Sequence, residues 1–205
     1  MKLYVTHFSP FARMARVVRR EKQLDDRVEE IMAVTRKPDS PYYQINPSGR
    51  VPYLVRDDGT GIEGSQPVCY FLDHLDGAPV FDTPVGDEGP EHRRLEEIAR
   101  SRTDGVSVWV RELGRAPEDR AAAIMEHGRQ RLSRLADFWE SEIDHRLMRG
   151  ELNMPQLTLA CGLLLEEWYS GLTWRGGRPR LAAWADAYAA RPSFVDTRPH
   201  HKHEP

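Results

Sequence analysis

Three short stretches of this 205-residue chain carry groups that could do chemistry. In the first, Ser9 stands directly before Pro10. Proline suits the first position of a helix, where an N–H would be unpaired anyway. The Ser9 hydroxyl then faces the first-turn amides, at an end of the helix that favours negative charge. Two uses fit that geometry equally: a cap for the helix, or a hydroxyl that donates to an anion held at its start. In the second stretch, Asn46-Pro47-Ser48-Gly49-Arg50-Val51-Pro52 runs into Tyr53-Leu54-Val55. It reads as a turn-rich loop that delivers Val51 and Pro52 to the mouth of a strand. Proline there removes a ladder donor and needs a positional reason. One such reason is a cis Val51–Pro52 bond, which would turn the Val51 N–H and C=O outward towards a peptide-like ligand; the sequence leaves the isomer open. The third stretch is Glu63-Gly64-Ser65. Ser65 reads as the N-cap of a helix reaching Leu75, with a hydroxyl and amides able to hold a carboxylate.

Other chemistries lack their residues. Thr6, His7 and Phe8 offer no cysteine beside Ser9, and thiol–disulfide exchange requires a thiolate. Cys69 and Cys161 form no CxxC pair and suggest no disulfide framework. Gly59-Thr60-Gly61 and Gly176-Gly177 match no phosphate-binding pattern. His200-His201-Lys202-His203 reads as a disordered tail rather than a weak transition-metal site, and no metal-ligand cluster or carboxylate pair is expected elsewhere. The net charge of −3 gives no electrostatic case for nucleic acid or an anionic membrane. The many arginines alternate with Asp and Glu and read as solvated helix faces. No apolar run approaches the roughly 20 residues of a membrane helix, and no signal-peptide pattern opens the chain. A cytoplasmic location is the expectation.

The elements that must position these residues follow from periodicity. Residues 2–6 read as a strand, and the helix from Pro10 turns Phe11, Met14, Ala15 and Val18 to one face. Residues 28–34 read as a second strand, and 36–50 as an irregular connection. Tyr53–Val55 and Gly61–Glu63 flank Asp57-Asp58-Gly59-Thr60 as a hairpin. Strand, helix, strand, loop, paired strands and helix is the order a thioredoxin-like sheet needs. Residues 76–90, rich in proline and glycine, read as a linker. Beyond it the period is helical, most regularly over 117–148, and 157–169 is apolar enough for a central buried helix with Thr158 as its N-cap.

Asn-Pro-x-Gly-x-Val-Pro-x-Leu at 46–54, Asp57-Asp58-Gly59, and Ser65 opening a helix through Phe71-Leu72-Asp73 together resemble the glutathione-binding half of glutathione S-transferases. Tyr4 to Arg13 resembles the strand and helix start that carry the catalytic Ser or Cys in that family. Leu181-x-x-Trp184 and Ala190-Arg191-Pro192-Ser193-Phe194 resemble the closing segment of bacterial members. The resemblance implies a glutathione S-transferase fold: an α/β thioredoxin-like N-terminal domain over 1–77 and an all-α helical C-terminal domain over 90–205. It implies glutathione as co-substrate, with its thiolate attacking a small hydrophobic electrophile. The helix start would lower the thiol pKa, and Ser9 would donate a hydrogen bond to the sulfur without being a covalent nucleophile.

The same resemblance assigns Ser65 to the γ-glutamyl carboxylate, with Glu63 beside it. Val51, ahead of a cis Pro52, would pair with the cysteinyl backbone. Lys37 is the first candidate for the glycine carboxylate and Arg50 the second. Val108, Trp109, Leu113 and Trp168 would line the electrophile site, and a homodimer is implied. Two positions depart from the family pattern. Gly64 stands where an acid or Gln commonly precedes the serine, and Cys161 where an aspartate would complete a capping box with Thr158. These departures give weight to a rival, a non-catalytic binding module of the same fold. Another glutathione-dependent enzyme (isomerase, dehalogenase or ether-cleaving) would use the same thiolate site.

Overall fold

The structure, a computed structural model, describes residues 1–169 and 171–198; the histidine-rich 200–203 lie outside them. It divides into two compact units, one of residues 1–82 with 192–198, the other built from residues 83–191.

The first unit alternates strand and helix as the periodicity requires. Strand β1 (Lys2–Val5) is followed by helix α1 (Pro10–Glu21), β2 (Glu29–Met32), β3 (Tyr53–Val55), β4 (Gly61–Glu63) and α2 (Ser65–His74). The four strands form one mixed sheet in the order β2-β1-β3-β4. β1 runs parallel to β2 with Leu3 opposite Glu30, and antiparallel to β3 with Tyr4 opposite Tyr53. β4 closes the hairpin with Glu63 opposite Tyr53. Leu3 and Val5, two residues apart, are buried, as are Met14, Ala15 and Val18 of α1 and Val68 and Leu72 of α2. This is the thioredoxin-like arrangement expected. The second strand is shorter than its apolar run, ending at Met32 while Val34 is 48% exposed.

Helix α1 departs from its expected amphipathic pattern. Arg13, Arg16 and Arg19, one turn apart, are buried rather than solvated. Arg16 donates through Nε to Glu30 at 2.7 Å and through Nη1 to the Thr197 carbonyl at 2.8 Å. Arg19 donates to the Val28 carbonyl at 2.5 Å, and Arg13 to the Phe194 carbonyl at 2.9 Å. Each charge is thus offered carbonyl or carboxylate oxygens, which offset the cost of burial. Through them α1 holds the short helix α7 (Pro192–Asp196). At the C-terminal end of α2, Asp73 accepts from the Val80 and Phe81 amides, and His74 Nε2 lies 3.1 Å from Asp82. These contacts fasten the glycine- and proline-rich 76–82 segment to the helix.

The second unit is helical: α3 (Glu88–Leu113), α4 (Ala122–Glu142), α5 (Met154–Leu163) and α6 (Pro179–Ala189), with short 3-10 turns between. Its core gathers Leu95, Ala99, Val106, Ala136, Trp139, Leu157 and Leu181. The stretch 117–148 holds one α-helix flanked by 3-10 turns rather than one continuous helix. Thr158 is not a cap. Helix α5 starts one turn earlier, where the Asn153 side chain accepts from the Gln156 amide and the Gln156 side chain accepts from the Asn153 amide, a complete capping box. Thr158 is buried mid-helix, and Cys161 has no capping role to fill. The helix then tightens into a 3-10 turn at Leu164–Glu167, short of the 169 expected.

Candidate functional site

Sheet topology brings the candidate residues to one end of the sheet. β1 and β2 are parallel, so the segments after Val5 and after Met32 leave at the same end. β3 and β4 are antiparallel to their neighbours, so the entry to Tyr53 and the exit from Glu63 lie there too. Read along the strand order β4-β3-β1-β2, that end presents Ser65, Val51, Ser9 and the 33–37 segment. Adjacent strands are about 4.8 Å apart, so the row spans roughly 14 Å.

Ser9 takes extended backbone angles, φ −81° and ψ 117°, and its Oγ accepts from the Ala12 amide at 3.2 Å. It therefore caps α1. The hydroxyl proton finds no acceptor among the described residues, so capping leaves Ser9 able to donate.

The loop carrying Val51 is held from beneath by two buried side chains. Tyr42, 3% exposed, donates its hydroxyl to the Arg50 carbonyl at 2.6 Å, and Asn46 Nδ2 donates to the same oxygen at 3.0 Å. Burial pushes the Tyr42 pKa up to about 12, which keeps that proton in place. Asn46 Oδ1 in turn accepts from the Ser48 amide. Gly49 sits at φ +66°, and a Cβ there would lie 2.5 Å from Tyr43 Cε1, so only glycine fits. The Val51–Pro52 bond is cis. Pro52 is buried and its carbonyl accepts from the Gly64 amide, whereas the N–H and C=O of Val51 have no partner among the described residues. A half-buried residue with both backbone groups unpaired offers a strand-like edge to an extended ligand.

Ser65 is the first residue of α2 and is 5% exposed; the cap position belongs to Gly64, at φ +95° and ψ 151°. No side chain caps this helix and its first turn holds no acid. Glu63 is drawn elsewhere: Ser48 Oγ donates to its Oε2 at 2.5 Å. Lys37 and Arg50 are exposed, and neither side chain has a hydrogen-bond or ion-pair partner among the described residues. In the helical unit Trp109 and Trp168 are buried, at 6% and 7% exposure, while Val108 is 44% exposed. Sequence reasoning missed Tyr42 and Asn46 as supports of the loop. For Tyr42 the signal was the Ser40-Pro41 cap that starts its 3-10 turn (Pro41–Gln44), with Ser40 Oγ accepting from the Tyr42 amide. No helix among the described residues is long and apolar enough to cross a membrane.

Comparisons with known proteins agree with this geometry. Residues 8–75 match the family model of the glutathione S-transferase N-terminal domain. An uncharacterized GST-like protein of Escherichia coli, YibF, is 26% identical over 201 residues, 97% of this chain and 98% of that one. A glutathione transferase family member from Pseudomonas fluorescens Pf-5, solved with bound glutathione, superposes with a TM-score of 0.86. It is 27% identical, over 98% of this chain and 99% of that one. A glutathione S-transferase from Methylobacillus flagellatus KT, with glutathione bound, gives 0.84 at 28% identity over 97% and 98% of the two chains. The fold is that of glutathione S-transferases, and these likenesses support that family for this chain.

Proposed function

We propose that this protein is a glutathione transferase that binds glutathione across the end of its sheet and activates the thiolate for attack on a small hydrophobic electrophile. The observation that carries the reading is the unpaired Val51 backbone, set between a hydroxyl donor at Ser9 and an uncapped helix start at Ser65. An extended tripeptide spans about 10 Å, which fits the row. Its cysteinyl N–H and C=O pair with Val51 ahead of Pro52, its γ-glutamyl carboxylate meets Ser65, and its glycine carboxylate meets Lys37 or Arg50. The thiol falls at the start of α1, where the helix end stabilises the thiolate over the thiol and Ser9 donates to the sulfur. Residues 1–77 then form the glutathione domain and 90–205 the helical domain that supplies the electrophile site, in a homodimer. The support in known proteins is the bound glutathione of the two relatives that match over nearly their whole length.

The diversion of Glu63 to Ser48 favours a second reading, a binding module of this fold without turnover, because the γ-glutamyl ammonium would then lack a carboxylate beside Ser65. Calorimetric titration with reduced glutathione, followed by assay with a chromogenic aryl halide, separates the two. Binding with a Kd below about 1 mM together with conjugation supports the transferase, and binding without conjugation moves the reading to the module. No heat at about 10 mM glutathione, with the protein folded, overturns the transferase and moves the reading to a module of this fold that takes another ligand.

A further inference from the structure

The C-terminal end of α2, opposite the end that Ser65 starts, gathers three side chains with metal-ligating atoms: Asp73, His74 and Asp82. One such atom from each lies within 4.8 Å of the other two. Spacing along the chain hides this cluster, because Asp82 comes from beyond the helix and is carried back to it. Asp73, 1% exposed, accepts from the Val80 and Phe81 amides at 3.0 and 2.8 Å, which turns the 76–82 segment onto the helix end.

The tautomer of His74 decides what the cluster requires. Its Nδ1 lies 2.8 Å from the Tyr70 carbonyl oxygen, an atom that can only accept, so Nδ1 carries a proton. In the neutral ring Nε2 then holds a lone pair, and it faces Asp82 Oδ2 at 3.1 Å. Two acceptors in contact require a cation between them. Lys22 cannot be that cation: its Nζ lies 3.5 Å from Asp73 Oδ1 and 2.9 Å from Asp76 Oδ2, whereas Asp82 has no ion-pair partner but His74 among the described residues. A histidine whose second nitrogen donates to a backbone carbonyl is the usual arrangement of a metal ligand. Ligand atoms about 2.1 Å from one metal lie about 3.0–3.4 Å apart at octahedral or tetrahedral angles. The observed 3.1 Å falls in that range. Imidazole with carboxylate suits a first-row divalent cation such as zinc better than calcium or magnesium. We propose that His74 and Asp82 bind such a cation, with Asp73 as the third ligand and water completing the shell. The ion clips the 76–82 segment to α2 and is independent of the glutathione site. The competing occupant is a proton on Nε2, which makes the pair an ordinary imidazolium–carboxylate bridge.

The test is a calorimetric titration of zinc chloride into the full chain, His74→Gln and Asp82→Asn, each shown to be folded by circular dichroism. It is run near neutral pH, where an ordinary imidazole is mostly uncharged. Wild type is expected to bind one zinc that His74→Gln binds at least about tenfold more weakly. Asparagine at 82 turns an acceptor into a donor, so Nε2 is met without a cation and affinity falls likewise. Both variants keep every other histidine, those of 200–203 included, so the differences between proteins report this site alone. Nitrogen-15 spectra of the imidazole give a second readout: zinc shifts His74 Nε2 while Nδ1 stays protonated. Equal affinity in wild type and His74→Gln places the zinc elsewhere and overturns the proposal. No shift at His74 Nε2 up to about 0.5 mM zinc leaves a proton as the occupant and overturns it as well.

Discussion

Helices α1 and α2 begin alike in sequence, each with a serine one or two residues ahead of a proline, and begin differently in space. At α1 the serine is the cap: Ser9 Oγ accepts from the Ala12 amide, and Pro10 takes the first helical position. At α2 the cap is Gly64 at φ +95°, Ser65 is already helical, and Pro67 stands in the first turn. The difference sorts two chemistries. A hydroxyl whose oxygen is occupied by an amide keeps its proton for an acceptor, which suits a thiolate sulfur. A helix start without a side-chain acceptor suits an incoming carboxylate. In the proposed reading, one serine activates the ligand and the other anchors it.

Ser9→Ala gives the largest expected effect. Loss of one hydrogen bond to a charged sulfur should lower the conjugation rate about 10- to 100-fold. The KM for glutathione should stay within about twofold, because the anchoring contacts remain. The thiolate absorbance of bound glutathione should titrate about one to two units higher. An unchanged rate would reduce Ser9 to a cap and dissolve the contrast.

Gly64→Ala comes next and acts on stability. A φ of +95° with ψ 151° is a region nearly reserved for glycine, so a Cβ should cost about 1–3 kcal/mol in urea unfolding. The space around it is not the obstacle, since the nearest atom to a Cβ there would be Pro67 Cδ at 3.6 Å. A loss below about 0.5 kcal/mol would mean that the α2 start adapts to a side chain. Ser65→Ala follows, with glutathione binding weakened about 3- to 10-fold and the bound thiol pKa unmoved. If that pKa rises as well, the two helix starts act as one electrostatic site.

How much of this could be read from sequence depends on the kind of signal. The hairpin of β3 and β4 was legible to the residue, because Asp57-Asp58-Gly59-Thr60 is a strong turn signal between Tyr53–Val55 and Gly61–Glu63. The start of α1 was legible as well, since Ser-Pro states both cap and first turn. The buried arginines of α1 were not. Besides the carboxylate of Glu30, their partners include backbone carbonyls of Val28, Phe194 and Thr197, and a carbonyl leaves no trace in residue type. The start of α5 was misread because Thr158 looks like a cap, while Asn153 with Gln156 meets two orphan amides at once and wins. In the candidate site, the loop of Val51 was legible from its glycine and prolines. The bond from Arg36 to the Tyr43 hydroxyl was not, since it joins a backbone amide to a side chain with no motif spacing.

The smallest expected effect is the most discriminating. If Ser9 is a cap and Ser65 is not, their alanine variants must differ in stability even where both lose function. Removing a capping hydroxyl leaves an orphan amide and typically costs about 1 kcal/mol, so Ser9→Ala should unfold at lower urea with an unchanged slope. Ser65→Ala removes a hydroxyl at the first helical position, where no side-chain cap is lost and alanine has high helix propensity, and should cost less than Ser9→Ala. Equal losses would mean that the Ser65 hydroxyl does structural work of the same size as a cap. Its effect on glutathione affinity would then have to be corrected for that loss before Ser65 is credited with holding a carboxylate.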